Sequence, residues 1–170
     1  MNASAASKTL SASAVWFRRD LRDFDHAALY HALKASQKVF CLFVFDTDIL
    51  DKLPSRSDRR VDFILRSVLE LRAALRQKGG DLLIAHGSAR TLVPDLARRL
   101  HVEAVFTNHD YEPSARDRDA AVAESLGQAG VAFHTFKDQA IFEKSEVLTG
   151  QGTSFKVFTA YKNAWLDKLD

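Results

Sequence analysis

Two short runs hold most of the side chains through which this chain could recognise a ligand. The first, Arg18-Arg19-Asp20-Leu21-Arg22-Asp23, follows directly on the apolar run Ala14-Val15-Trp16-Phe17. The second, Thr107-Asn108-His109-Asp110-Tyr111-Glu112-Pro113, follows Val105-Phe106 and sets carboxylates, an amide, an imidazole and a phenol side by side. Carboxylates accept hydrogen bonds and arginines balance their charge, so the chemistry on offer is recognition of a polar ligand. The competing reading is that charges at strand ends pair with one another or with water, for only about 0 to 1 kcal/mol. What separates the two readings is whether the fold brings the runs together.

Other chemistries lack their residues. The turn after the first strand has no glycine, so the G-x-G-x-x-G loop that lets backbone approach a pyrophosphate is missing, and there is no P-loop. No histidine or cysteine pair stands at metal-ligand spacing: His26 and His31 are five apart, and His101 and His109 fall in different elements. His86 ends a strand with no serine or cysteine nucleophile motif near it, and His109 is the one histidine with a claim on the site.

The elements that must position these runs alternate. Ala14–Phe17, unbroken by polar residues, reads as a central strand buried on both faces, and Asp25 as the cap of a helix from His26 to Lys34. Val39–Phe45 is a second strand, 46–53 a loop closed by Pro54, and Ser57–Lys78 the longest helix, with Val61, Ile64, Leu65, Val68, Leu71 and Leu75 on one stripe and Gly79-Gly80 at its end. A third strand (81–86), a helix (91–100) with Pro94 in its first turn, a fourth strand (103–108), a helix from Pro113 to Leu126 and a fifth strand (131–136) complete the series. Strict alternation implies an α/β fold: a Rossmann-like five-stranded parallel sheet, order 3-2-1-4-5, with helices on both faces. In that order the first and fourth strands are neighbours and the topology switches between them, so both polar runs meet where such sheets bind ligands.

Composition sets the outer limits. A chain of 170 residues, 46% hydrophobic and 27% charged, suits one globular core. The longest apolar stretch, Val39–Phe45, is far short of the roughly 18 residues of a transmembrane helix, and a net charge of +2 does not by itself argue for nucleic acid. Cys41, the single cysteine, lies in an apolar run and reads as a core residue of a protein in a reducing, cytoplasmic compartment. Residues 1–13, rich in alanine and serine, read as a flexible tail, 14–137 as the α/β domain, and 138–170 as a connector leading into a further helix. In that last segment Phe155, Phe158, Tyr161 and Trp165 would make a costly surface if exposed, so they face either a partner or this same domain. The helix is still running at Asp170, as in a piece of a longer protein.

Three motifs in order on this framework carry a resemblance: Trp16-Phe17-Arg18-Arg19-Asp20-Leu21-Arg22; Asp110-Tyr111-Glu112-Pro113 with Arg116-Asp117-Arg118-Asp119; and Phe155-Lys156-Val157-Phe158-Thr159 with Lys162-Asn163-Ala164-Trp165. Together they resemble the amino-terminal domain of the DNA photolyase and cryptochrome family over nearly the whole chain from Ala14, and most of all a bacterial cyclobutane pyrimidine dimer photolyase. The resemblance implies that this domain holds a light-harvesting antenna chromophore. It also implies that a helical domain outside these residues holds FAD and the UV-damaged DNA, and that reduced flavin there donates an electron to a flipped-out dimer. It places no catalytic residue in this chain, which alone would neither hold FAD stably nor repair DNA, and it suggests a monomer. By resemblance, Arg19, Asp20, Asp110 and Glu112 line the antenna site, with Phe45 and Asp46 completing its wall. The antenna is either an 8-hydroxy-5-deazaflavin or 5,10-methenyltetrahydrofolate. Folate-binding members carry an amide and an acid just after the Tyr-Glu pair, where this chain has Ser114 and Ala115, a departure that counts against folate. Two other functions stand beside this one: a cryptochrome photoreceptor, and an adenosine-nucleotide binding module, whose glycine-rich phosphate loop Asn108–Pro113 lacks.

Overall fold

The computed structural model describes residues 8–55 and 57–169; the first seven residues of the expected tail lie outside them. Residues Met1–Phe136 and Lys137–Asp170 form two compact units.

The first unit is built on a sheet of five parallel strands: β1 (Leu10–Phe17), β2 (Ser36–Asp46), β3 (Leu82–Gly87), β4 (Ala104–Asn108) and β5 (Ala132–Phe136). Their order is β3-β2-β1-β4-β5, the expected one. β1 pairs with both β2 and β4, Val15 lying opposite Cys41 on one side and Phe106 on the other. It starts inside the stretch read as tail: the Ser13 hydroxyl is buried and shares a 2.7 Å hydrogen bond with that of Ser36, so the polar look of 10–13 conceals strand.

Successive residues of β1 feed opposite cores, as the pleat requires. Ala14 and Trp16 pack with Val93 and Ala97 of α4 (Ala89–Arg99) and Val122 and Leu126 of α5 (Pro113–Gln128). Val15 and Phe17 pack with Leu29 and Ala32 of α1 (Ala27–Ala35) and Val68, Leu71 and Leu75 of α3 (Arg59–Gln77). The remaining helix of this unit, α2 (Thr47–Leu50), is one turn long and occupies the stretch expected as loop; Asp46 caps it by accepting from the Asp48 amide.

Two helix starts differ from expectation. Asp25 does not cap α1: it has a positive φ of 45° and hands the cap to His26, whose Nδ1 accepts from the Leu29 amide. α4 begins at Ala89, so Pro94 is its sixth residue and not part of its first turn. In the second unit the further helix is α6 (Phe158–Leu169), with Trp165 edge-on to Phe142 at 5.5 Å and Phe158 exposed.

Candidate functional site

The carboxyl ends of β1, β2 and β4 open into one cavity of about 1170 Å³. All six residues singled out in the sequence, Arg19, Asp20, Phe45, Asp46, Asp110 and Glu112, line it, although the first and last of them are ninety-three positions apart. Two further walls were not foreseen: Ile49 and Leu50 of α2, and Phe63, Ile64 and Leu71 of α3.

A buried hydrogen-bond cluster fixes the floor. The Asp20 carboxylate accepts from the Arg18 amide at 3.0 Å, from the Asn108 side-chain amide at 2.6 Å and from His26 Nε2 at 3.1 Å. Asn108 Oδ1 in turn accepts from the Ala28 amide at 2.9 Å. Burial pushes the Asp20 carboxyl upward, but the bonds from His26, Arg18 and Asn108 outweigh it and hold it at about 2. Asp20 therefore lines the cavity with its acceptors already used, and its work is to tie the β1 turn to β4 and to the start of α1.

The upper wall is differently arranged. Arg19, half exposed, donates to Glu112 at 3.0 Å and stands 3.7 Å from Asp110; burial lowers its basicity, and these two acids raise it by more. The carboxylate side chains of Asp110 and Asp46 are buried, 7% and 6% exposed. Asp46 Oδ1 accepts from the amides of Asp48 and Ala89, while Asp46 Oδ2 and Asp110 Oδ1 have no hydrogen-bond partner. The cation facing both acids is Arg118, 3.7 Å from Asp110 Oδ2 and 4.0 Å from Asp46 Oδ2.

The charges of Asp110 and Glu112 are met by Arg19 and Arg118. Arg116 is exposed, and Arg18 turns away to Asp119 and to the Asn108 carbonyl. Arg118 was overlooked because charged residues crowd the start of α5. Its signal was position: Ala115, Arg118, Val122 and Leu126 share one buried stripe, and an arginine on such a stripe needs a reason. His109 lies apart from the cavity, its Nε2 3.0 Å from the Thr135 hydroxyl.

A doubly wound parallel sheet with a charged cavity at its topological switch point, and no glycine-rich phosphate loop after β1, places this chain in the α/β class whose ligand sites lie at the carboxyl ends of the strands. The DNA photolyase family model matches residues 13–170, and the chain belongs to that family. The deoxyribodipyrimidine photo-lyase of Alkalihalophilus pseudofirmus is 35% identical over 156 residues, covering 91% of this chain and 33% of that protein. An uncharacterised protein of Synechococcus is 37% identical over 150 residues, covering 88% of this chain and 52% of its own. Among solved structures, an archaeal photolyase from Sulfolobus tokodaii superposes with a TM-score of 0.79 at 30% identity over 89% of this chain and 34% of that one; it is described as holding two FAD molecules, with the implication of a novel light-harvesting cofactor. The chain thus spans between about a third and a half of the length of these relatives.

Proposed function

We propose that this chain is the antenna-chromophore-binding domain of a DNA photolyase. The whole enzyme would split UV-induced cyclobutane pyrimidine dimers, with FAD and damaged DNA held by a helical domain outside these residues. The observation that carries the reading is the pair of buried carboxylate oxygens without a hydrogen-bond donor, Asp46 Oδ2 and Asp110 Oδ1, on the wall of one large cavity, each facing an arginine only at ion-pair distance. Each buried acceptor without a donor costs about 1 to 3 kcal/mol, which a ligand bringing N–H or O–H groups would recover. A ring system edged with such donors fits this wall, and a deazaflavin pigment has them. Bound there, the pigment would supply light absorption and pass excitation to the flavin. Asp46 and Asp110 would accept from its ring edge, Arg19 and Arg118 would balance the two acids, and Phe45 with the α3 side chains Phe63 and Ile64 would cover the flat faces. The cavity is large enough for a flavin dinucleotide as well, which the Sulfolobus relative brings into consideration.

Cryptochrome function is a second reading, favoured by a cryptochrome DASH of Natronomonas pharaonis that is 32% identical over 157 residues; it shares the pigment site and differs in what the rest of the protein does. An adenosine-nucleotide module is disfavoured by family membership and by the acids Asp110 and Glu112, which repel phosphate. The single cysteine, Cys41, forms no disulfide, which is in keeping with the proposed reducing, cytoplasmic compartment.

The test is an absorption and fluorescence titration of the purified chain with 8-hydroxy-5-deazaflavin, methenyltetrahydrofolate and FAD. Deazaflavin is expected to bind with a shifted band, and Asp46→Ala or Asp110→Ala to weaken it at least tenfold, about 1.4 kcal/mol. A chain that takes up none of the three ends the reading.

A further inference from the structure

Asp119 does not line the cavity, yet it is the hub of the charges behind it. Its Oδ1 accepts from Arg118 Nε at 3.1 Å and from Arg118 Nη2 at 3.0 Å. The same carboxylate accepts from Arg18 Nη1 at 2.7 and 2.6 Å, and Arg18 Nη2 is itself anchored on the Asn108 carbonyl. Both guanidiniums lie 5.0 Å from the ring of the buried Trp16. One carboxylate on α5 therefore holds two nearly buried arginines in place, from β1 and from its own helix.

The arrangement is uneven in an informative way. Arg118 reaches Asp110 and Asp46 only at 3.7 and 4.0 Å, within ion-pair range and beyond hydrogen-bond range. A bidentate arginine–carboxylate pair is among the strongest side-chain contacts available, and a buried acceptor left without a donor is costly. A guanidinium free to turn would therefore close on one of these two acids, and this one is held back.

We infer that Asp119 is a positioning residue: by holding Arg118 it keeps the guanidinium off Asp46 and Asp110, so that their carboxylates remain available to donors on the pigment. The inference rests on the proposed reading of the cavity. It also adds a distinction of roles: Asp46 and Asp110 touch the ligand, whereas Asp119 acts through Arg118. Where a bare structural ion pair would satisfy each carboxylate in turn, Asp119 takes up two arginines while two acids go short.

The test is Asp119→Asn in the full 170-residue chain, with far-ultraviolet circular dichroism to confirm folding. Loss of the charge should let Arg118 turn to Asp110 or Asp46. Affinity for 8-hydroxy-5-deazaflavin should then fall at least tenfold, while an analogue methylated at its ring N–H, weak toward the wild type, should lose nothing further. The Asp119→Asn, Arg118→Met double variant should bind no more weakly than Arg118→Met alone, since the first substitution acts through the second residue. Without ligand, at constant neutral pH, the carbon-13 carboxylate resonance of Asp46 or Asp110 should move in Asp119→Asn, as Arg118 closes on it, and return toward wild type in Asp119→Glu. On the wild-type protein, adding pigment should shift the carboxylate resonances of Asp46 and Asp110 and leave that of Asp119 in place, a measurement that needs no variant to fold. Equal losses for the pigment and its methylated analogue, carboxylate resonances unmoved by Asp119→Asn, or a pigment-induced shift at Asp119 would each overturn the inference. If the wild-type chain binds no pigment but Asp119→Asn moves the Asp46 or Asp110 resonance, the cavity reading falls and the restraint stands. If the wild-type chain binds pigment and those resonances stay in place in Asp119→Asn, the reverse holds.

Discussion

At the scale of single residues, the floor and the wall of the cavity obey opposite rules. Asp20 and Asn108 are satisfied by the chain itself; Asp46 and Asp110 are not. Satisfaction has a pH signature. The Asp20 carboxyl sits at about 2, against 3.8 for an ordinary aspartate. A folded value below the unfolded one stabilises the protein above the unfolded pKa, and that stability is lost as pH falls from about 4 to about 2. Those two values correspond to about 2 kcal/mol. Asp20→Asn should lower stability at neutral pH by about this amount and flatten the acid limb of urea unfolding between pH 4 and 2; an unchanged slope would show that His26 and Asn108 do not stabilise the ionised form. Asn108→Ala strands the Ala28 amide and removes one donor from Asp20, so a loss of about 2 to 4 kcal/mol is expected in the same measurement. The two polar runs that hold Arg19, Asp20, Asp110 and Glu112 were legible because they broke apolar strands at the switch point, while the choice of these four within the runs came from the family resemblance. Arg118 was not, because a single helical arginine shows its burial only when the stripe it shares with Ala115 and Val122 is laid against the sheet.

At the scale of elements, the cavity depends on how three strand ends hand over to helices. β3 stops at Gly87, which pairs with Asp46 and has φ of 147°; a β-carbon there would meet the Leu92 side chain at 2.9 Å. Two residues on, the Ala89 amide donates to Asp46 Oδ1, so the angle at which α4 leaves the sheet helps to aim that carboxylate. Gly87→Ala should therefore cost about 1 to 3 kcal/mol in thermal unfolding and weaken pigment binding together, whereas Gly127→Ala, with open space around its β-carbon, should do neither. The alternation of strands and helices and the sheet order could be read from sequence because buried parallel strands are apolar runs between amphipathic helices. The junctions could not. A one-turn helix at Thr47–Leu50 lacks a period to detect, the polar start of β1 imitates a tail, and a proline as sixth residue of α4 reads as a helix start.

At the scale of the molecule, the proposed function assigns pigment binding and repair to different parts of the polypeptide. Every residue lining the cavity falls between Trp16 and Arg118, inside the first compact unit. A chain ending after Asp138 keeps all of those residues and both cores, so its pigment affinity should match that of the full 170 residues within about twofold, which corresponds to well under 1 kcal/mol. Repair asks for more: a flavin close to an extruded dimer and a basic surface to hold the duplex. The net charge here is +2 and nearly every arginine at the cavity is already engaged by an acid. The 170-residue chain, illuminated with reduced FAD and a UV-irradiated oligonucleotide, is therefore expected to leave the dimers intact even when it is loaded with pigment. Restoration of thymine absorbance in that mixture would mean that the electron donor's site and the DNA surface lie within these residues, and the division into an antenna domain and a separate repair domain would fall.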